Sequence, residues 1–486
     1  MEEAGRRAPA AASHTQCCDK EIDMKYISTR GGVAPIGFTD AILMGLADDG
    51  GLLVPERLPR LSDDALKAWR KLSYSELALE LLALFMEEDI PREELERLVN
   101  DSYATFRDPH VTPVVKLRDD LHVLELFHGP TFAFKDVALQ FLGNLYAYVS
   151  RKTGSVIHIL GATSGDTGAS AIEGVRGKEG IKICILHPHG KVSRVQELQM
   201  TTVQDDNVLN LAVEGTFDDC QRIIKELFAD VPFKRQYHLR AINSINIARI
   251  LAQTVYYFYA YFRLAEQGHA GPVNFSVPTG NFGDIFAGYI AKRMGLPVGK
   301  LVLATNENDI LARFVASGVY QPGEFRGTYS PSMDIQVASN FERYLYYLYD
   351  GDAGTVATLM ERFRSEGRIE VPQDVLLKVR EDFAAYSVSN EECLDTIARY
   401  YESYGYLLDP HTACGVAAAD KRSDEGEVTI SLSTAHPAKF DEAIRLRNIS
   451  QVYPEPIQAL FGKPRRVTVV GNANEQVKEQ LEAFFG

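Results

Sequence analysis

Short apolar runs alternate with amphipathic segments along most of the 486-residue chain. Runs at 121–126 (LHVLEL), 156–161 (VIHILG), 181–186 (IKICIL), 208–213 (VLNLAV) and 239–242 have the length and composition of buried strands. Between them, 135–150, 167–175, 193–201 and 217–228 carry apolar residues at helical spacing. The rhythm resumes with a strand at 273–277, a helix at 282–294 and a strand at 301–305, and 428–432 (VTISL) supplies a late strand. Strands and helices in strict turn predict parallel sheet covered on both faces. Two stretches, 62–106 and 340–404, read as mostly helical. In the first, Leu77, Leu81, Leu82, Leu84 and Phe85 form an apolar stripe, and Pro91 before Arg92-Glu93-Glu94 marks a new helix start. The predicted class is α/β with parallel sheets in two lobes. Its units are a disordered extension at 1–23, an α-rich unit at 24–112, and lobes at 113–270 and 271–486.

Composition narrows the class of function. With 45% hydrophobic and 24% charged residues the chain is ordinary globular protein. A net charge of −15 argues against general nucleic-acid binding, which needs clustered Lys and Arg. Residues 250–262 are the most apolar stretch, but they contain Gln253 and lie between Arg249 and Arg263. A bilayer span needs about 20 residues, so a buried aromatic-rich helix is expected and no membrane partner. Six scattered cysteines without CxxC spacing predict no metal site and a reduced, cytoplasmic setting. The first 23 residues lack the apolar run of a secretory signal and hold too many acids for an ordinary transit peptide. They read as an extension, with an organelle address as the alternative.

Three glycine-bearing turns stand at carboxyl ends of predicted strands, where such folds bind ligands. The first, 128–136 (HGPTFAFKD), holds a single lysine, Lys135, between aromatic residues and a helix start. Desolvation by Phe132 and Phe134 would favour the neutral amine that Schiff-base chemistry requires. Taken alone, Lys135 also reads as a helix-start lysine paired with Asp136. The second turn, 161–168 (GATSGDTG), runs from a strand into small residues and a helix start, where unpaired amides can hold an anion. Ser164, Asp166 or Thr167 could instead simply cap the helix. The third, 278–284 (PTGNFGD), has the glycine spacing of a phosphate cradle at a helix N-terminus, or of a plain turn. A lysine, an anion turn and a phosphate cradle on one parallel sheet together suggest an aldehyde cofactor carrying a phosphate, which pyridoxal 5′-phosphate satisfies.

Through these motifs the chain resembles the threonine synthase family, in its longer-chain subgroup of pyridoxal-phosphate enzymes with the tryptophan-synthase-β-like fold. The resemblance runs nearly end to end. It takes in 25–31 (KYISTRG), 49–55 (DGGLLVP), the three turns, Lys191-Val192-Ser193 with Gln196 and 199–202, 243–246 (NSIN), and 432–440 (LSTAHPAKF). It implies that Lys135 carries the cofactor and then shuttles a proton. It implies that Gly280, Asn281, Phe282 and Gly283 hold the cofactor phosphate, with Asp284 closing the turn. Thr434 would face the pyridine nitrogen and leave it largely neutral. Ser164, Asp166 and Thr167 would lie near the cofactor oxygen and the substrate carboxylate, although an acid at 166 beside a carboxylate would be repulsive.

The family's substrate is O-phospho-L-homoserine, a small anion whose phosphate needs its own pocket. Candidates are Lys191, Asn243, Ser244, Asn246 and Arg249, with Arg30 behind them. His128, His411 and His436 are expected to be structural. The implied reaction is γ-elimination of phosphate followed by addition of water at Cβ, giving L-threonine, in a monomer or homodimer. Two other outcomes stay open on the sequence: a phospholyase releasing 2-oxobutyrate, ammonia and phosphate from the same residues, and a non-catalytic scaffold.

Overall fold

The apolar runs resolve into two sheets in a computed structural model that describes residues 23–242, 244–422 and 427–486. The larger has six strands, in the order Phe383–Ser387, Val298–Thr305, Val273–Pro278, Val428–Ser433, Leu121–Glu125 and Val114–Arg118. All neighbours are parallel except the last pair. The smaller has five parallel strands, Thr468–Val470, Val208–Val213, Ile181–Pro188, Ile157–Ala162 and Leu239–Ala241. The expected α/β class is therefore observed, and most predicted strands agree with the observed ones to within a few residues.

The expected lobe boundary at 270 does not match the sheets. Leu121–Glu125, which leads to Lys135, pairs with Val428–Ser433 rather than with the strands that follow it. At the other end, Thr468–Val470 joins Val208–Val213, and helix Asn474–Phe485 packs on helix Phe217–Ala229. Each lobe thus takes one piece of the other's segment. Periodicity identifies a strand but carries no information about its partner, and parallel neighbours are joined by crossovers that skip positions in the sheet. It follows that the three glycine-bearing turns stand on two sheets, not one. The turns before Lys135 and at 278–284 rise from the large sheet, and that at 161–168 from the small one.

Two helices hold those sheets in register. Helix Ile247–Glu266, the apolar segment anticipated around 250–262, is buried along nearly its whole length and packs on helices Gly283–Arg293, Lys135–Thr153 and Tyr74–Met86. Helix Lys135–Thr153 crosses helix Asp166–Val175 at backbone contact. A Cβ added at Gly143 would lie 2.0 Å from the Gly174 carbonyl oxygen, and one at Gly174 would lie 2.5 Å from that of Leu139. Only glycine allows this approach, and it brings the two helix starts, Lys135 and Asp166, to the same place.

The α-rich N-terminal part forms helices Asp63–Trp69, Tyr74–Met86 and Arg92–Tyr103, with Ser73 and Glu76 completing a capping box on the second. Leu77, Leu81, Leu82 and Phe85 are buried as expected, while Leu84 is only half-buried. A two-stranded antiparallel pair, Tyr26–Ser28 with Leu53–Pro55, precedes them, with helix Phe38–Met44 in the connection. No helix among the described residues is long and apolar enough to cross a membrane. The extension expected at 1–23 lies outside the described residues except for Asp23, as does Asn243.

Candidate active site

The chain reaches Lys135 through a turn that its neighbours hold rigid. Asp136 accepts hydrogen bonds from the Thr131 amide (2.7 Å) and the Thr131 hydroxyl (2.6 Å), and is fully buried in doing so. This removes the pairing of Lys135 with Asp136. Lys135 Nζ instead lies 3.5 Å from Asp166 Oδ2 and 4.9 Å from the Phe134 ring centre. Of the two flanking aromatics only Phe134 touches the amine. Phe132, with a left-handed φ of 62°, turns its ring under the Arg107 guanidinium and against His436. Burial lowers the pKa of Lys135. Asp166 opposes that shift, and the cations Lys439 and Arg249 reinforce it.

Asp166 sits among donors. Lys439 Nζ is 2.8 Å from Oδ1, Gln196 Nε2 donates to the same oxygen at 2.8 Å, and Ser332 Oγ lies 3.5 Å from Oδ2. Burial alone would raise its pKa, but the ammonium groups of Lys439 and Lys135 outweigh burial and hold it well below the usual carboxylate range. Lys439, which the sequence did not single out, is closer to this carboxylate than Lys135 is. The turn itself is organised by Thr163, whose hydroxyl accepts from the amides of Gly165 and Gly168, and not by Ser164, Asp166 or Thr167 as caps.

The third turn has the form of an anion cradle. Phe282 adopts φ 63° and heads helix Gly283–Arg293, so consecutive amides converge ahead of the helix start. Among the described residues the amides of Gly280, Asn281 and Phe282 meet no protein acceptor. The Asn281 carbonyl is held by the amide and side chain of Asn340. Asp284 accepts from the hydroxyls of Tyr256 and Tyr257, while its Oδ2 has no partner. Burial pushes its carboxyl up to about 6, against the two tyrosines and Lys135.

These parts line one cleft, whose empty space out to its mouth is about 720 Å³. Lys135, Asp166, Thr167, Ser244, Arg249, Gly280 to Asp284 and Thr434 all face it. Four other predicted residues do not. Lys191 is exposed on a turn outside the cleft, and Ser164 is exposed as well. Asn246 is a buried helix cap, accepting from the Ala248 amide and donating to the Ile42 carbonyl. Arg30 pairs with both carboxylate oxygens of Glu342. Arg249 is buried (3% exposed) rather than a surface arginine, and burial lowers its pKa to about 10, which leaves it a cation.

Several residues at the cleft went unanticipated. Gln253 stands one helical turn beyond Arg249, a spacing that could have found it. His411 also lines the cleft. Its Nδ1 meets Asp409 at 2.8 Å and its Nε2 accepts from the Ser332 amide at 3.2 Å, so it holds a cleft-side loop, as a structural histidine would. Ser332 and Met333 come from a one-turn 3-10 helix, Pro331–Met333, that no local sequence pattern marks.

The residues fit a phosphate-bearing aldehyde. A buried lysine of lowered pKa supplies the amine, the amides at 280–282 await an anion, and the Thr434 hydroxyl and carbonyl lie close by, the carbonyl accepting from the Phe134 amide at 2.8 Å. Comparison with known proteins agrees. The model described as "Threonine synthase N terminus" matches residues 25–103, "Pyridoxal-phosphate dependent enzyme" matches 107–433, and "Threonine synthase, C-terminal" matches 412–481. Threonine synthase of Schizosaccharomyces pombe is 46% identical, covering 94% of this chain and 97% of its own. The Pseudomonas aeruginosa threonine synthase is also 46% identical, with the same coverage. A crystal structure of PLP-bound threonine synthase from Brucella melitensis superposes with a TM-score of 0.92 at 44% identity, over 95% of this chain and 99% of that one. On its sequence, its fold and its cleft alike, the chain belongs to the threonine synthase family of pyridoxal-phosphate-dependent enzymes.

Proposed function

We propose that this protein converts O-phospho-L-homoserine and water to L-threonine and inorganic phosphate. The observation that carries the reading is the convergence of a buried amine, an anion cradle and a second buried cation, Arg249, on one cleft. Lys135 and the amides at 280–282 would hold pyridoxal 5′-phosphate, which when bound would supply an electron sink for the substrate carbons.

The chain's own residues do the rest. Lys135 Nζ, once free, takes the Cα proton and returns one at the end. Burial favours its neutral form, the form that can accept a proton. Arg249 and Ser244 hold the substrate phosphate at the cradle side, which fixes Cγ for departure of that group. Thr167, at the start of helix Asp166–Val175, presents its hydroxyl to the substrate carboxylate, with Lys439 neutralising Asp166 beside it. Ser332 and Met333 narrow the cleft and limit stray water until phosphate has left.

The test is product analysis with O-phospho-L-homoserine, for wild type and Lys135→Ala. Equal amounts of phosphate and threonine are expected, with a loss of at least about 10³-fold in the variant. Phosphate accompanied by 2-oxobutyrate would replace the reading with a phospholyase. No phosphate release at all would overturn it.

A further inference from the structure

Two buried lysines share one carboxylate in this cleft, and only one of them has chemistry to do. Lys439 ends the short turn Pro437–Lys439, which His436 caps by accepting from the Ala438 amide. Its side chain is fully buried, its Nζ donates to the Thr131 carbonyl (2.7 Å), and its distance to Asp166, 2.8 Å, is shorter than the 3.5 Å from Lys135. Lys439 is fully buried and does not line the cleft, so it meets Asp166 from the side away from the cleft. Thr131 is also the residue whose amide and hydroxyl Asp136 holds, so the Lys135 turn and the Lys439 turn are tied at one point.

We propose that Lys439 is a positioning residue for the reaction: by holding Asp166 as its own ion partner, it keeps that carboxylate from capturing Lys135 as a permanent ammonium. The inference rests on Lys135 being the cofactor lysine and proton carrier, as proposed above. The charged groups around Lys135 are Asp166 and Lys439, Arg249 from helix Ile247–Glu266, and Asp284 from helix Gly283–Arg293. His411 lines the same cleft, and Asp136 feels Lys439 from the other side. Of the three cations in this set, only Lys439 directly contacts Asp166 without itself facing the cleft. Without it, a fully buried anion would have Lys135 as its one ammonium partner. An unshared opposite charge at this range favours the protonated amine by about one pH unit or more.

The experiment is a spectrophotometric pH titration of the holoenzyme, which reads protonation of the imine nitrogen at Lys135 directly, with the pH profile of turnover as a second readout. Removing a cation stabilises the protonated form, so Lys439→Met is expected to raise the midpoint by about one unit, and the acid limb of the kcat profile with it. Lys439→Arg keeps the charge and is expected to stay at the wild-type midpoint. Asp166→Asn/Lys439→Met lacks the anion and is expected to fall below Lys439→Met alone. In an Asp166→Asn background the same Lys439→Met change removes the cation where there is no carboxylate for it to hold, so those two midpoints are expected to differ by much less than wild type and Lys439→Met; if Lys439→Met does not fold, Lys439→Gln replaces it. A wild-type midpoint in the Lys439 variant, an equal shift in the Asp166→Asn background, or Lys439→Arg moving as far as Lys439→Met would overturn the proposal. Lys135→Ala should show no lysine-linked band. A band that survives there refutes the assignment of Lys135, a separate failure.

Discussion

The cradle at 280–284 and the face around Lys135 do neighbouring jobs by different means. The cradle is one run of consecutive residues, and its ligand-binding atoms are backbone amides aimed by a left-handed residue and a helix start. The lysine face is assembled from side chains at positions 135, 166, 196 and 439, drawn from both sheets and from a turn more than 300 residues further along the chain. A backbone-built site depends on local conformation and tolerates many side-chain changes. A charge-built site depends on every member, because a buried charge that loses its partner is costly.

That contrast is open to direct attack. The largest effect is expected from Asp166→Ala, which leaves the buried Lys439 ammonium without its anion. A loss of about 3–5 kcal/mol of stability is expected by chemical denaturation, and an unchanged denaturation midpoint would mean that the charges on this face do not depend on one another.

Asp284→Asn sharpens the comparison on the cradle side. The Asp284 carboxyl is raised to about 6 in the fold by burial, so the folded state binds the extra proton between roughly pH 4 and 6. Wild-type stability therefore falls as pH rises through that window. The Asn variant keeps an acceptor for Tyr256 and Tyr257 and escapes that fall, and it should gain about 2–3 kcal/mol relative to wild type between pH 4 and pH 7. Parallel stability curves for the two proteins would refute the raised pKa.

Smallest is Lys191→Ala. The residue is exposed and outside the cleft, so stability should move by less than about 0.5 kcal/mol and the KM for O-phospho-L-homoserine should hold. A large rise in KM would bring the 188–193 turn into the substrate site.

The same division governs what could be read from the sequence. Whatever is local was legible. The strands and helices, the turn 278–284 and the lysine at a helix start all announce themselves through periodicity, glycine and position. Arg249, one turn past NSIN on helix Ile247–Glu266, does line the cleft. What depends on long-range pairing was not legible. Lys439 sits in a motif that is plain in the sequence, LSTAHPAKF, yet nothing in those letters says that its partner is Asp166. Asn246 looked like a hydrogen-bond donor for substrate because caps and ligand-binding turns use the same residue types. Ser164 looked better than Asp166 because an acid beside a carboxylate is unfavourable, which holds only until a buried lysine is counted. The lobe boundary failed for a related reason: strand partners lie beyond the reach of any sequence window.

Which of the two buried lysines, Lys135 or Lys439, carries the cofactor is open to direct chemical test. Borohydride reduction of the holoenzyme converts the imine carbon–nitrogen bond to a stable secondary amine, and peptide mass mapping then locates the label. The pyridoxyl group is expected on the peptide containing Lys135, with Lys439 unmodified. A label on Lys439 would contradict it, because the lysine placed behind Asp166 would then be the one doing the chemistry.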